Sequence, residues 1–561
     1  MRQAVRVVAL QMATSQQNTR AKDRVMEINL KDNKITCQFD YDPETVGLVN
    51  KNGLGMRFDA RSKTWHHPAT YTFIKALAET FPAHTPDHIL QMLGGNTNQS
   101  GWEPSPFLMD HQKSGARLAL DESRHGFFYE TGTGKTLLAL EIVRQKGLKT
   151  LVVCPLSIIE NAWVEDAKKF YPDFNIANLW DLARKKTTKF GKVRYAKGLK
   201  ECDIGVINFD RFRTMSAELH KAGFEMLIVD ESSKVKSPKS KITKELIKYA
   251  DTVPYVYLFS GTPAPNSELE YYSQVRMLDQ AILSKSFYNF RASYFMQSGY
   301  GGFKWKINPV RKQEFLDKLA TVSSVIKKDD VLDLPGKTIN IRKVFLTPKE
   351  MSAYKEMEAH MLLEIEDQES VAANAAVKCM KLREGSSGFF IDDNGGIIET
   401  GKSKLNELIS LLEDIGDHPV IIWTNFHYEA GQITDVLEKL GKTFARADGT
   451  VNQDRKNQAI RDFKSGKVQY FIGHPASVGH GITLTNCSYM VYFSLSYSFE
   501  LQSQSADRIY RKGQENHCSY YYLLADGTID FAIMKAVDVK QTLTEMVFDF
   551  IKTKRRKKGE K

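Results

Sequence analysis

Short runs of β-branched and aromatic residues recur along the chain, separated by stretches with helical spacing. The first set is GFFY at Gly126 to Tyr129, TLVVCP from Thr150, IGVINF from Ile204, EMLIVDE from Glu225 and YVYLFSGTP from Tyr255. Strands that are apolar throughout lose both faces to packing, so their alternation with helices predicts a parallel sheet covered on both sides. From Gln280 to Leu334 the pattern pauses, and aromatic and basic residues mix without a strand signal. A second set follows: PVIIWTNF from Pro419, VQYFIGHP from Val468, YMVYFS from Tyr489 and SYYYLLADG from Ser519. An amphipathic helix from Lys404 to Ile415, stopped by Gly416 and Pro419, precedes it. The expected fold is α/β, two lobes in tandem, each around a parallel sheet.

Ahead of the first set, Val25 to Pro82 alternates apolar and polar positions, and GGNTNQSGWEPSP from Gly94 to Pro106 reads as a linker. A chain of 561 residues exceeds what one core organises. The expected division is a small N-terminal α/β domain over 1–93, a linker over 94–106, a first lobe over 107–280, a helical insertion or junction over 281–335, a second lobe over 336–545 and a basic tail over 546–561. Six scattered cysteines without a C-x-x-C pair argue against a zinc knuckle or a disulfide framework and for a reducing compartment. No apolar run is long enough for a membrane span, and Val7 to Leu10 is too short for a signal-peptide core. The formal charge of +11 favours a polyanionic partner.

The candidate chemistry begins where the first strand runs into ETGTGKT, Glu130 to Thr136. Gly132, Thr133 and Gly134 form a turn whose glycines let backbone N–H groups wrap phosphate oxygens at a helix N-terminus. Lys135 suits the β- and γ-phosphates and the Thr136 hydroxyl suits Mg²⁺, although Tyr129 stands where GxxxxGK[ST] has its first glycine. Further on, the strand MLIV ends in Asp230 and Glu231 at the sheet edge where such folds bind ligands. Asp230 suits a metal contact, and Glu231 suits orienting and deprotonating the attacking water. An Asp-Glu pair alone is most often a solvated loop; its coupling to the glycine loop gives it weight. In QSADRIYRKGQ, Arg508 and Arg511 share a helix face, either as a solvated basic surface or as arginine fingers inserted into the first lobe's site.

With ETGTGKT, DESS (Asp230 to Ser233), SGTP (Ser260 to Pro263) and QSADRIYRKGQ in that order, the chain resembles superfamily 2 helicases, specifically the Swi/Snf-like translocases, from Phe107 to Lys535. VVCPLSIIENAW, SGTPAPNSELEYYSQVRML and GHGITLT support it. The resemblance implies two RecA-like lobes, ATP and Mg²⁺ as cofactors, and DNA as partner. It further implies that Gln112 contacts adenine, that Ser260 and Thr262 couple nucleotide state to DNA, and that Gly479, Gly481 and Gln504 line the nucleotide cleft beside Arg508, with Arg511 as the finger. Ser232 and Ser233 depart from a family motif that often has histidine fourth, and VIKKDDVLDLP (Val325 to Pro335) looks like a weakened basic junction. FDYDP and RFDARSKTWHHP are similar to the HARP module of annealing helicases, which implies recognition of DNA structure, with Trp65 a candidate contact. The plain alternative is a small α/β domain with Trp65 in its core.

Further candidate DNA contacts are Lys185, Lys186 and Lys189 in ARKKTTKFGKVRYAKGLK, and Lys234 and Lys236 after the acidic motif. A solvated loop explains the first group equally well. The leading expectation is a DNA-dependent ATPase that moves along duplex DNA and anneals or remodels branched DNA. Its rivals are a strand-separating helicase, a remodeller of a DNA-bound protein such as RNA polymerase, and a catalytically dead scaffold. A monomer in the cytoplasm of a bacterium or phage-infected host, with a protein partner in replication, repair or transcription, completes the expectation.

Overall fold

A computed structural model describes residues 26–31, 34–50, 53–69, 71–90, 102–186, 188–284, 286–298, 304–363, 371–478 and 482–538. Gly479 and Gly481, most of the linker and the basic tail lie outside the described residues.

Four antiparallel strands, β1 (Glu27–Lys31), β2 (Lys34–Gln38), β3 (Arg57–Asp59) and β4 (Thr64–Pro68), form the N-terminal sheet in the order β1-β2-β4-β3. One face buries Ile28, Ile35 and Cys37 against Phe73, Ile74 and Leu77 of the helix Tyr71–Thr80. Lys75 of that helix reaches Asp279 of the following lobe at 2.6 Å, which ties the small domain to the larger one.

The apolar runs of the first set become β5 (Arg124–Tyr129), β6 (Thr150–Cys154), β8 (Ile204–Asn208), β9 (Met226–Asp230) and β10 (Tyr255–Phe259), with β7 (Ile176–Asn178) added at one edge. Every residue of β5, β6, β9 and β10 is buried, as expected of strands covered on both faces. Truncating one of these side chains, such as Ile228, costs roughly 2–5 kcal/mol.

The stretch expected to hold no strands does hold them. After the hairpin β11 (Phe295–Ser298) and β12 (Lys304–Ile307), β13 (Ser323–Ile326) pairs parallel with β5 and completes a seven-stranded sheet, β13-β5-β10-β9-β6-β8-β7. Two serines and an exposed Val325 give β13 no apolar run, so only its pairing marks it as a strand.

The second sheet runs β14-β21-β20-β17-β19-β18, all parallel, from β14 (Lys337–Val344), β17 (Val420–Trp423), β18 (Phe444–Ala447), β19 (Tyr470–Gly473), β20 (Tyr489–Tyr492) and β21 (Cys518–Ala525). A small hairpin, β15 (Phe389–Ile391) with β16 (Ile397–Glu399), lies between β14 and β17 in the chain. Two parallel-sheet α/β lobes with a small antiparallel domain in front make up the described architecture.

Candidate functional site

Strands β5, β10 and β9 are neighbours in register, with Phe259 opposite both Phe127 and Asp230. Their carboxyl ends therefore release the glycine loop, the SGTP loop and the Asp-Glu pair at one edge of the sheet. The glycine loop needs its glycines: Gly132 and Gly134 have φ of 94° and 77°, and a Cβ on Gly134 would meet Gln112 Nε2 at 2.2 Å. From beneath, Gln112 Nε2 donates to Gly134 O at 2.8 Å and Met109 N donates to Gln112 Oε1 at 2.8 Å. His111 Nε2 lies 2.8 Å from Thr133 O. Gln112, expected to contact adenine, has its amide buried and bonded at both ends to the chain itself.

Lys135 opens the helix Lys135–Lys146, and its ammonium donates to Tyr129 O at 2.9 Å and Glu130 O at 3.2 Å. Burial lowers its pKa, against the opposing pull of Glu231, Asp230 and Asp507. Thr136 is half-buried in the first turn of the same helix.

Asp230 ends β9, buried, and accepts from Trp163 Nε1 at 3.0 Å and from Glu231 N at 3.0 Å. Glu231 stands in left-handed backbone at φ 61°, strain of order 1–3 kcal/mol that the surrounding fold holds in place. Burial pushes its carboxyl up to about 7, helped by Asp230 and Glu500 and opposed by Lys135. Ser232 and Ser233 are buried, and Ser232 Oγ donates to Gln274 Oε1 at 2.7 Å. Gln274 Nε2 then donates to Pro263 O at 2.7 Å, so one glutamine joins the acidic motif to the SGTP loop. That loop presses on the glycine loop: a Cβ on Gly261 would lie 2.7 Å from Thr131 Oγ1 and 3.5 Å from Lys135 Nζ. Ser260 is buried in it, and its Oγ accepts from Thr262 N at 3.3 Å.

The second lobe closes the site from the other side. Gln504, on the helix Phe499–Ala506, donates from Nε2 to Glu231 Oε1 at 3.4 Å. Arg508 is 4% exposed, and burial beside Arg511 lowers its pKa to about 10, which leaves it charged at neutral pH. Arg511 backs directly onto the loop, since a Cβ on Gly132 would lie 3.1 Å from Arg511 Cβ. A cavity of about 510 Å³ continues the cleft, with Thr131, Thr262, Lys328, Asp507 and Tyr510 on its walls.

Among the described residues no three His, Cys, Asp or Glu side chains group to hold a metal unaided. Mg²⁺ takes one or two protein ligands and completes its shell with phosphate and water. Asp230 and Thr136 at the mouth of the glycine loop fit such a role.

The other basic candidates are not gathered in one place. Lys185 pairs with Asp181 at 2.6 Å, Lys186 with Glu218 at 2.9 Å, and Lys189 is exposed at the start of the helix Lys189–Glu201, where the sequence reading had a loop. Lys234 faces Glu500 across the cleft at 3.7 Å and Lys236 faces Glu270 at 3.2 Å. Trp65 is half-buried against the small domain's core, with its ring 5.3 Å from that of the exposed Phe58. Sequence reasoning assigned no role to Trp163, Gln274 or Lys328, whose partners are remote in sequence. It also missed Arg383, a buried guanidinium over the Phe426 ring whose Nε and Nη2 have no acceptor among the described residues.

A glycine loop, an acidic pair and opposing arginines meet between two parallel-sheet lobes, the arrangement of a nucleotide-hydrolysing core. The SNF2-related domain matches residues 87–387 and the helicase conserved C-terminal domain matches residues 403–513. The chain belongs to the SNF2-related family and is a DNA-dependent ATPase of helicase type. It is 27% identical over 460 residues to protein p41 of Acyrthosiphon pisum secondary endosymbiont phage 1, covering 78% of this chain and 96% of that one. With the DNA repair and recombination protein RAD54-like of Gallus gallus it shares 24% over 511 residues, 79% of this chain and 68% of that one. It spans 42% and 48% of two bacterial helicase relatives. A Sulfolobus solfataricus SWI2/SNF2 ATPase core solved with dsDNA aligns at 20% identity and TM-score 0.37, over 78% of this chain and 92% of that one.

Proposed function

We propose that the chain is a DNA translocase that hydrolyses ATP between its lobes to move along duplex DNA, and that its small N-terminal domain directs it to branched structures. The meeting of Arg511 with Gly132, and of Gln504 with Glu231, carries this reading, because it sets second-lobe charge against a first-lobe phosphate seat.

In that seat, backbone N–H groups from Gly132 to Thr136 and the Lys135 ammonium hold the β- and γ-phosphates. Thr136 and Asp230 would hold Mg²⁺, which when bound would neutralise phosphate charge. Glu231 orients the attacking water and accepts its proton, a task matched to a carboxyl whose pKa lies near 7. Arg511, with Arg508 behind it, stabilises the charge that develops on the transferred group. Gln504 bridges to Glu231. Hydrolysis is passed to the DNA-binding surfaces through the SGTP loop, where Gln274 links Ser232 to the backbone beside Thr262. Gln112 supports the glycine loop in this scheme.

DNA is gripped through phosphates, with exposed lysines including Lys189, and with Lys234 and Lys236 released from their carboxylate partners. The Lys75–Asp279 pair supports a structure-reading role for the N-terminal domain, since it fixes that domain to the motor. Strand separation and displacement of a DNA-bound protein are the competing outcomes of the same motion, and a similar phage protein supports a bacterial or phage setting. The deciding experiment measures ATP turnover with duplex, single-stranded and forked DNA and RNA, for the full chain and a variant lacking residues 1–100. Stimulation by duplex, with a fork preference that vanishes on truncation, is expected. Equal fork-to-duplex ratios in both proteins would remove the N-terminal domain's role, and stimulation by RNA alone would sink the DNA reading.

A further inference from the structure

We infer that Lys328 is a positioning residue for hydrolysis: by clamping Asp507 it holds the Arg508–Arg511 segment against the glycine loop and keeps that carboxylate off the cations that meet phosphate. The inference rests on the proposed role of Arg511.

Lys328 sits in the junction between the lobes, yet it moves with the glycine loop. Strand β13 runs parallel to β5, with Ile326 opposite Tyr129, and Glu130 N donates to Ile326 O at 2.9 Å. Two residues on, Lys328 N donates to Glu130 Oε2 at 2.9 Å. The backbone of Lys328 is thereby fastened to the first residue of ETGTGKT. Its side chain points the other way: Nζ forms an ion pair with Asp507 of the second lobe, and both residues are less than a tenth exposed. Nζ also lies 4.9 Å from the ring centroid of Tyr510, between the two arginines in sequence.

Asp507 directly precedes Arg508 and stands four residues before Arg511, in the turn that follows the helix Phe499–Ala506. Its charge is felt by Lys135 and by Arg511. A buried carboxylate that loses its cation keeps the cost of desolvation and turns to whatever cation is within reach. At this position those cations are Lys135, Arg508 and Arg511, all assigned to phosphate. Lys328 therefore does two things at once. It satisfies Asp507, and it fixes where the arginine segment stands relative to Glu130.

A purely adhesive role for Lys328 would show in melting temperature, with no separation of kcat from KM and no dependence on Asp507. The test measures duplex-stimulated ATP turnover of the full chain for Lys328→Ala, Lys328→Arg, Asp507→Asn, the double variant Lys328→Ala with Asp507→Asn, and Arg511→Ala. Lys328→Ala is expected to lower kcat by about tenfold or more with KM for ATP within about twofold. Lys328→Arg keeps the charge and retains most of kcat, which shows that the site tolerates substitution. The double variant recovers part of the Lys328→Ala loss, because the stranded carboxylate is gone. Wild-type kcat in Lys328→Ala, a loss confined to KM, or a double variant as poor as Lys328→Ala would each overturn the inference. If Arg511→Ala is crippled while Lys328→Ala is normal, the clamp alone fails; if Arg511→Ala turns over normally, the finger reading fails and the clamp with it.

Discussion

On the first-lobe wall of the cleft, the glycine loop, Asp230 and Ser232 are each tied to groups of the same lobe. Gln112 and His111 hold the glycine loop from below, Trp163 holds Asp230, and Gln274 joins the acidic motif to the SGTP loop. The second-lobe wall is built differently. Arg511 makes no side-chain hydrogen bond or ion pair among the described residues and is kept in place by packing against Gly132 and by its neighbours. One wall is thus assembled when its lobe folds, whereas on the other Arg511 is held by packing and not by a partner of its own. In the proposed reading the first lobe seats the phosphates and supplies the base, while Arg511 acts on charge that develops during transfer, an interaction that raises kcat without tightening the ground state.

The largest expected effects fall on the first wall. Lys135→Ala and Glu231→Gln should each lower ATP turnover by roughly a hundredfold or more, because each lost contact with developing charge costs several kcal/mol at 1.4 kcal/mol per tenfold. Duplex DNA binding, measured by fluorescence anisotropy, should stay near the wild-type value. Normal turnover in either variant would show that this wall is not the hydrolytic one.

Arg511→Ala should come next, with kcat down by about tenfold to a hundredfold and nucleotide affinity close to wild type. Single-turnover rates alongside binding of a fluorescent ATP analogue separate the two quantities. A collapse of affinity at unchanged turnover would erase the contrast between the walls.

How far this contrast is legible in the sequence depends on distance along the chain. Gly132, Gly134, Lys135, Asp230, Glu231 and Arg511 lie in short motifs whose spacing carries its own chemistry, and the strands that present them are unbroken apolar runs. The links between motifs carry no such signal. Gln274 and Lys328 are ordinary residues whose partners lie 42 and 179 positions away, and a single sequence gives no sign of such pairings. Gln112 was legible as a site residue, but the direction of its amide was not. Strands β7, β13, β14 and β18 escape for a related reason: they are short or carry polar residues at exposed edges, so pairing and not pattern makes them strands.

A smaller effect follows from the raised Glu231 carboxyl. A base must be ionised, so kcat/KM should climb as pH rises through about 7, falling by up to tenfold per unit below it. The same shift affects stability with the opposite sense. The folded carboxyl holds its proton more tightly than the unfolded one, whose ordinary value is 4.5, so this group costs stability as pH rises from 4.5 to about 7. Glu231→Gln should therefore melt above wild type at pH 8 and draw level with it below pH 4.5. An advantage confined to the acid side would mean that Glu231 is ionised well below neutrality and that the wall is less enclosed than its burial implies.

The smallest expected change tests whether lysines far from the cleft add to DNA grip. Each phosphate contact contributes about 0.9 to the slope of log affinity against log salt, so three lysines that all touched DNA would add nearly three. Two of the three in this cluster already have carboxylates. Lys185 bonds Asp181 at 2.6 Å, and Lys186 bonds Glu218 at 2.9 Å while lying 4.5 Å from the Tyr195 ring centroid. Tyr195 is itself buried and donates to Glu218 at 3.0 Å, so Glu218 is held where it neutralises Lys186. Only Lys189 is exposed without a carboxylate partner among the described residues. Replacing Lys185, Lys186 and Lys189 together by Gln should therefore lower the salt slope by no more than about one, with ATP turnover unchanged at saturating duplex. A drop approaching three would mean that DNA pulls these lysines from Asp181 and Glu218, and that the first lobe grips its track well beyond the cleft.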